Sequence, residues 1–95
     1  MAISKVVVAA VQATPVFLDR DATIETVACV TKDAAANDAA LVVFPEAFVP
    51  GYPDWVWRTT PWSDRAWYER LYDQAVDVPG PATEALGATA RDAST

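Results

Sequence analysis

Leu41-Val42-Val43-Phe44-Pro45-Glu46 is an apolar run of strand length that stops on a proline and hands the chain to a carboxylate. The run has none of the polar/apolar alternation of a half-exposed strand, so it reads as buried on both faces, as strands in the middle of a parallel sheet are. Working outward, Val6-Val7-Val8-Ala9-Ala10-Val11 has the same character, and Thr14-Pro15 ends it. Between the two runs lies a stretch of helical periodicity. A helix inserted between two such strands implies a parallel, right-handed crossover, and therefore an α/β fold.

The intervening helix is expected to start at Asp19 or Asp21, either of which can cap it, and to run to about Asn37. Ile24, Val27, Ala28, Thr31 and Ala35 recur at helical spacing and mark its inner face. Asn37-Asp38 is the stop, and the second strand covers about Ala40 to Phe44. A second helix is expected from Ser63 or Asp64 to about Ala75. There Trp67 with Leu71, and Tyr68 with Tyr72, form a broad aromatic stripe that needs a partner surface. Val78-Pro79-Gly80-Pro81 makes a rigid turn, and Pro81 in a first helical position begins a last helix through Thr83, Leu86 and Ala90 to about Arg91. Nothing after residue 53 resembles another central strand. Two parallel strands cannot hide their own faces, so 95 residues supply only part of an α/β core.

Composition excludes several function classes. Hydrophobic residues at 53% and charged residues at 21% describe a globular chain, not a disordered one. A net charge of -6 with seven scattered basic residues disfavours nucleic acid and anionic lipid as partners, and no apolar stretch is long enough to span a bilayer. The lone Cys29 rules out an internal disulfide, the lack of histidine removes the commonest zinc ligand, and a reducing, cytoplasmic compartment is expected. Met1-Ala2-Ile3-Ser4-Lys5 carries one positive charge before the valine run, with no small-residue cleavage signal, so the segment reads as the approach to strand one and not as a targeting peptide.

Glu46 is the candidate for chemistry. It leaves the end of a strand and enters a loop stiffened by prolines at 45, 50 and 53, which restricts where the carboxylate points. Burial there would raise its proton affinity and suit it to be a base, with Phe44, Phe48, Tyr52 and Trp55 excluding water from one wall of a small pocket. The competing reading is that Glu46 accepts hydrogen bonds from backbone or arginine and only braces the loop. A third possibility, an acid holding a nucleotide ribose, fails at the first turn: Gln12-Ala13-Thr14-Pro15-Val16 lacks the glycines that let a pyrophosphate approach a helix.

Three segments in order carry a family resemblance: Val11-Gln12-Ala13, then Leu41-Val42-Val43-Phe44-Pro45-Glu46-Ala47-Phe48-Val49-Pro50-Gly51-Tyr52-Pro53, then Val78-Pro79-Gly80-Pro81-Ala82-Thr83. Together they resemble the N-terminal portion of nitrilases in the carbon-nitrogen hydrolase superfamily. The likeness covers residues 4–95 as a partial domain, about the first quarter to third of a typical member. It implies the N-terminal part of a four-layer αββα sandwich, incomplete in this chain. It also implies a cofactor-independent, metal-free hydrolase that uses a cysteine nucleophile, a lysine and a glutamate. Glu46 matches the glutamate, which would accept the proton of the thiol and later of water. The family's lysine and cysteine lie further along than residue 95, so the isolated chain is expected to be inactive. The resemblance further implies a small-molecule nitrile as substrate and a homo-oligomer when complete.

Pro50-Gly51-Tyr52-Pro53 resembles the nitrilase branch more than amidases or carbamoylases of the same superfamily, which stand as the alternative. A second alternative is a non-catalytic binding or regulatory module that docks its aromatic stripe on a related subunit. Cys29 falls mid-helix between Ala28 and Val30, where a small thiol serves packing or an inert surface role and not nucleophilic attack. Lys5 precedes a strand and Lys32 lies late in a helix, so neither matches the family lysine. Trp55, Trp57 and Trp62 read first as core or interface residues and second as the walls of a substrate pocket.

Overall fold

A computed structural model describes residues 4–95; Met1-Ala2-Ile3, read above as the approach to the first strand, lie outside the described residues. The chain forms β1 (Val8–Ala10), α1 (Arg20–Ala36), β2 (Leu41–Val43), a 3-10 turn over Asp54–Trp57, α2 (Arg65–Asp73) and α3 (Pro81–Ala93). β1 and β2 pair in parallel with Val8 opposite Leu41, Ala9 opposite Val42 and Ala10 opposite Val43. Backbone bonds from Ala40 N to Val7 O and from Val11 N to Val43 O extend the pairing by a residue at each end.

Both ends of α1 are set by local chemistry. Asp19 is extended and its Oδ1 accepts from Ala22 N at 3.1 Å, satisfying one of the amides that a first helical turn leaves without a partner. At the other end, Asp38 adopts a left-handed φ of 67°. Asp38 N donates to Ala35 O, and Ala39 N donates to Ala34 O, which closes the helix in a Schellman motif around a residue other than glycine. The buried face of α1 is Thr23, Val27 and Thr31, with Ile24, Ala28 and Ala35 half-buried. All five residues that periodicity marks thus lie on the inner face, and Thr23 joins them. The Thr23 hydroxyl donates to Val16 O at 2.9 Å, so a polar side chain enters the core with its hydrogen bond made.

α3 starts at Pro81, as the turn chemistry implies. The Thr83 hydroxyl accepts from Gly80 N at 3.0 Å and donates to Gly80 O at 2.9 Å, fixing the entry to the helix. α3 then packs along α1, and Thr95 Oγ1 donates to Ala39 O at 3.1 Å just before β2.

The expectation that both strands are buried on both faces does not hold within these residues. Along each strand the side chains alternate exposed, half-buried, exposed, leaving Leu41 at 53% and Val43 at 49% exposure. A sheet of two strands has one covered side at most, and the second side here has no layer against it. The radius of gyration agrees: 16.0 Å, against about 12 Å for a compact domain of this length. No helix among the described residues is long and apolar enough to cross a membrane.

Candidate functional site

Glu46 opens a run of turns, residues 46–50, immediately after β2 and the Phe44-Pro45 link. The turns are anchored from within. Phe48 is buried and its ring lies 5.3 Å from that of Phe44, which holds the middle of the loop onto the end of the strand. Ala47 takes a left-handed φ of 51°, reversing the chain directly after the carboxylate. At the far end, Pro50 O accepts from Leu18 N at 3.0 Å, and Gly51 sits against Phe17. Glycine is required at 51 on two counts: its φ is 139°, and a Cβ would come within 3.0 Å of the Phe17 ring.

A second cluster supports the first. Trp55, in the 3-10 turn, is buried with ring centroids 5.9 Å from Phe17, 5.9 Å from Trp67 and 5.5 Å from Tyr68. The aromatic stripe of α2 thus finds part of its partner surface in Trp55 and Phe17. Tyr72, Trp57 and Trp62 stay on the surface, and Trp57 Nε1 donates to the Tyr52 hydroxyl at 3.1 Å. Three hydrogen bonds fasten α2 and the residues just after it to the start of α1 and the loop before it: Arg70 Nε to Leu18 O at 3.1 Å, Arg20 N to Gln74 Oε1 at 2.7 Å, and Arg20 Nη1 to Ala75 O at 3.0 Å.

Glu46 itself is exposed, and the inward-facing, buried carboxylate expected from the sequence is not found within residues 4–95. The physical reason is the same as for the sheet: a loop at a strand end is enclosed only by whatever covers the sheet, and no layer does so here. The bracing role is not found either. Ion pairs join Arg20 with Asp21, Arg58 with Asp54 and Arg65 with Glu69, and among the described residues the Glu46 carboxylate meets neither a cation nor a hydrogen-bond donor. The expected aromatic wall divides. Phe44 precedes the loop and Phe48 lies within it, whereas Trp55 belongs to the cluster with α2, and Tyr52 is exposed beside Trp57.

Concavities among the described residues include one of about 390 Å³ lined by Arg20, Asp21, Asp77 and Pro81, where α1 and α3 begin, one lined by Val27, Val42, Phe44 and Leu86 between α1, β2 and α3, and one lined by Lys32, Thr89 and Asp92; Glu46 lines none of these three. Lys32 therefore faces α3, and Lys5 precedes β1. Cys29 is exposed on α1, which removes the packing role and leaves the surface one. Sequence reasoning missed Phe17 and Leu18, the residues that join the Glu46 loop to α2. Leu18 is fully buried with a left-handed φ of 52°, a conformation that a leucine does not advertise. Chemically, the arrangement offers one uncommitted proton acceptor on a fixed loop.

Over residues 7–95 the chain matches the family model described as carbon-nitrogen hydrolase. A nitrilase of a Bacillus species is 47% identical over 79 residues, covering 83% of this chain and 23% of that protein. An arylacetonitrilase of Hypocrea virens is 43% identical over 87 residues, covering 90% of this chain and 26% of its own length. An aliphatic nitrilase of Rhodococcus rhodochrous is 37% identical over 86 residues, with 90% and 24% covered. The chain spans about a quarter of the length of the curated relatives it matches.

Proposed function

Because the chain belongs to the carbon-nitrogen hydrolase family, we propose that residues 4–95 are the first part of a nitrilase domain that converts a nitrile to its carboxylic acid and ammonia. Glu46 is the proton acceptor of that reaction. The names of the relatives support the nitrile as substrate class. The observation that carries the role of Glu46 is its uncommitted carboxylate at the end of a parallel strand, on a loop whose other residues do the bracing.

A nitrile carbon is a weak electrophile, so attack needs a thiolate, or a thiol with a base in contact, and the nitrogen needs a cation or donor as charge develops on it. In this reading a cysteine and a lysine from polypeptide outside residues 4–95 supply those two parts. Glu46 takes the thiol proton as sulfur bonds to the nitrile carbon and passes it to the nitrogen, giving a thioimidate. Water then adds, Glu46 relays its protons to the nitrogen, and ammonia leaves to give the acyl-enzyme; a second water, deprotonated by Glu46, adds to the acyl carbon, the C–S bond breaks to release the acid, and the proton returns to sulfur. The isolated chain has the base without the covalent step and is inactive.

The same outside polypeptide completes the αββα sandwich by covering the exposed side of β1 and β2, and it encloses Glu46. The complete enzyme is cytoplasmic, needs no cofactor and self-associates. Glu46→Gln in the full-length protein keeps the shape and removes the base; nitrile turnover is expected to be lost, and retained turnover overturns the assignment. A competition between nitrile and amide separates this enzyme from an amidase or carbamoylase: exclusive amide turnover reverses the choice. Intact mass of the native product is expected to be several times 10.2 kDa, and a product of that mass alone favours the binding module.

A further inference from the structure

We propose that Arg70, on α2, is a positioning residue for the Glu46 loop and acts through the backbone of Leu18. The proposal rests on the reading of Glu46 as the base. α2 carries two arginines with different fates. Arg65 pairs with Glu69 on the same helix at 2.9 Å, an exposed pair of the kind that contributes little. Arg70 instead reaches across 52 positions of sequence, and its Nε donates to Leu18 O at 3.1 Å.

Leu18 is well suited to pass that contact on. It is fully buried in a left-handed conformation, so neighbours on both sides must hold it there. Its carbonyl takes the Arg70 bond, and its amide donates to Pro50 O at 3.0 Å, at the far end of the turns that Glu46 begins. One residue thereby ties α2 to the Glu46 loop by hydrogen bonds, beside the aromatic packing of Phe17 and Trp55 on Trp67. The Arg20 N to Gln74 Oε1 bond of 2.7 Å, at the residue that ends α2, ties the start of α1 to the same region. A charged donor to a carbonyl is among the stronger neutral-acceptor bonds, and its removal leaves a partly buried carbonyl without its partner.

Placement of a base matters steeply, since a displacement of an ångström can cost a hundredfold in rate. Arg70→Met in the full-length protein retains the side chain's length and removes the donor. It is expected to lower kcat roughly tenfold, with KM within about twofold of wild type. Amides of residues 46–49 should exchange faster while those of β1 and β2 keep their protection, and Arg70→Lys should recover most of the rate. A kcat within twofold of wild type for Arg70→Met, alongside an inactive Glu46→Gln, overturns the proposal and leaves the base reading intact. Uniform loss of protection, or failure to accumulate folded protein with no rescue by Arg70→Lys, also overturns it, because Arg70 then stabilises the whole unit. Turnover by Glu46→Gln instead sinks the base reading, a result distinct from either.

Discussion

Trp55 and Trp57 stand two residues apart in one 3-10 turn, yet the first is 8% and the second 78% exposed, so truncating each to alanine separates packing from surface. Burying the Trp55 ring removes about 200 Å² from water, about 5 kcal/mol at about 25 cal/mol per Å², an upper bound because unfolded chains already hide part of that area. Trp→Ala changes in packed cores cost about 3–5 kcal/mol, which agrees. Trp55→Ala should therefore loosen residues 65–73 and the Phe17 loop by about 3 kcal/mol or more. Trp57→Ala gives up one exposed hydrogen bond and should cost about 0.5 kcal/mol or less. Trp55→Phe is informative between them, because Trp55 Nε1 is buried with no partner among the described residues and the change forfeits no hydrogen bond. The assay is amide exchange of α2 in the full-length protein, where about 3 kcal/mol corresponds to a loss of protection of about two orders of magnitude. Equal protection in Trp55→Ala and Trp57→Ala would show that the aromatic cluster does not dock α2.

Other outcomes follow from the same geometry. Asp19→Ala removes the acceptor for Ala22 N and should cost about 0.5–2 kcal/mol, read as a lower urea midpoint with an unchanged slope; an unshifted midpoint refutes the cap. Cys29 is exposed on α1, so Cys29→Ser should leave nitrile turnover in the full-length protein within about twofold, and loss of activity would make it the nucleophile after all. The 95 residues alone, with Leu41, Val43 and Trp62 exposed, should aggregate or give poorly dispersed amide spectra; sharp, dispersed signals from a monomer contradict this.

Much of the fold was legible because it rests on local chemistry. The valine-rich runs, the Asp19 cap, the Asn37-Asp38 stop and Pro81 at the start of α3 each act within a few residues of themselves. The three ordered segments that resemble carbon-nitrogen hydrolases lie in the same loops and strand ends, and the match over residues 7–95 bears out the family. Legible too was the inner face of α1, except for the burial of Thr23. Thr23 outranks Ile24 for burial because Val16 O waits at 2.9 Å, a partner that helical periodicity does not count.

The sequence by itself determined the two strands and three α-helices, their order, and that a carboxylate leaves the second strand at Glu46, since strand propensity, capping and proline geometry are short-range properties of the chain; the 3-10 turn over Asp54–Trp57 it did not announce. Tertiary structure alone decided that Leu18 bridges Arg70 and Pro50, that Trp55 is core while Trp57 and Trp62 are surface, and that Glu46 is exposed within residues 4–95. Burial is a relation between distant segments, and a side chain is enclosed only by the surfaces that reach it.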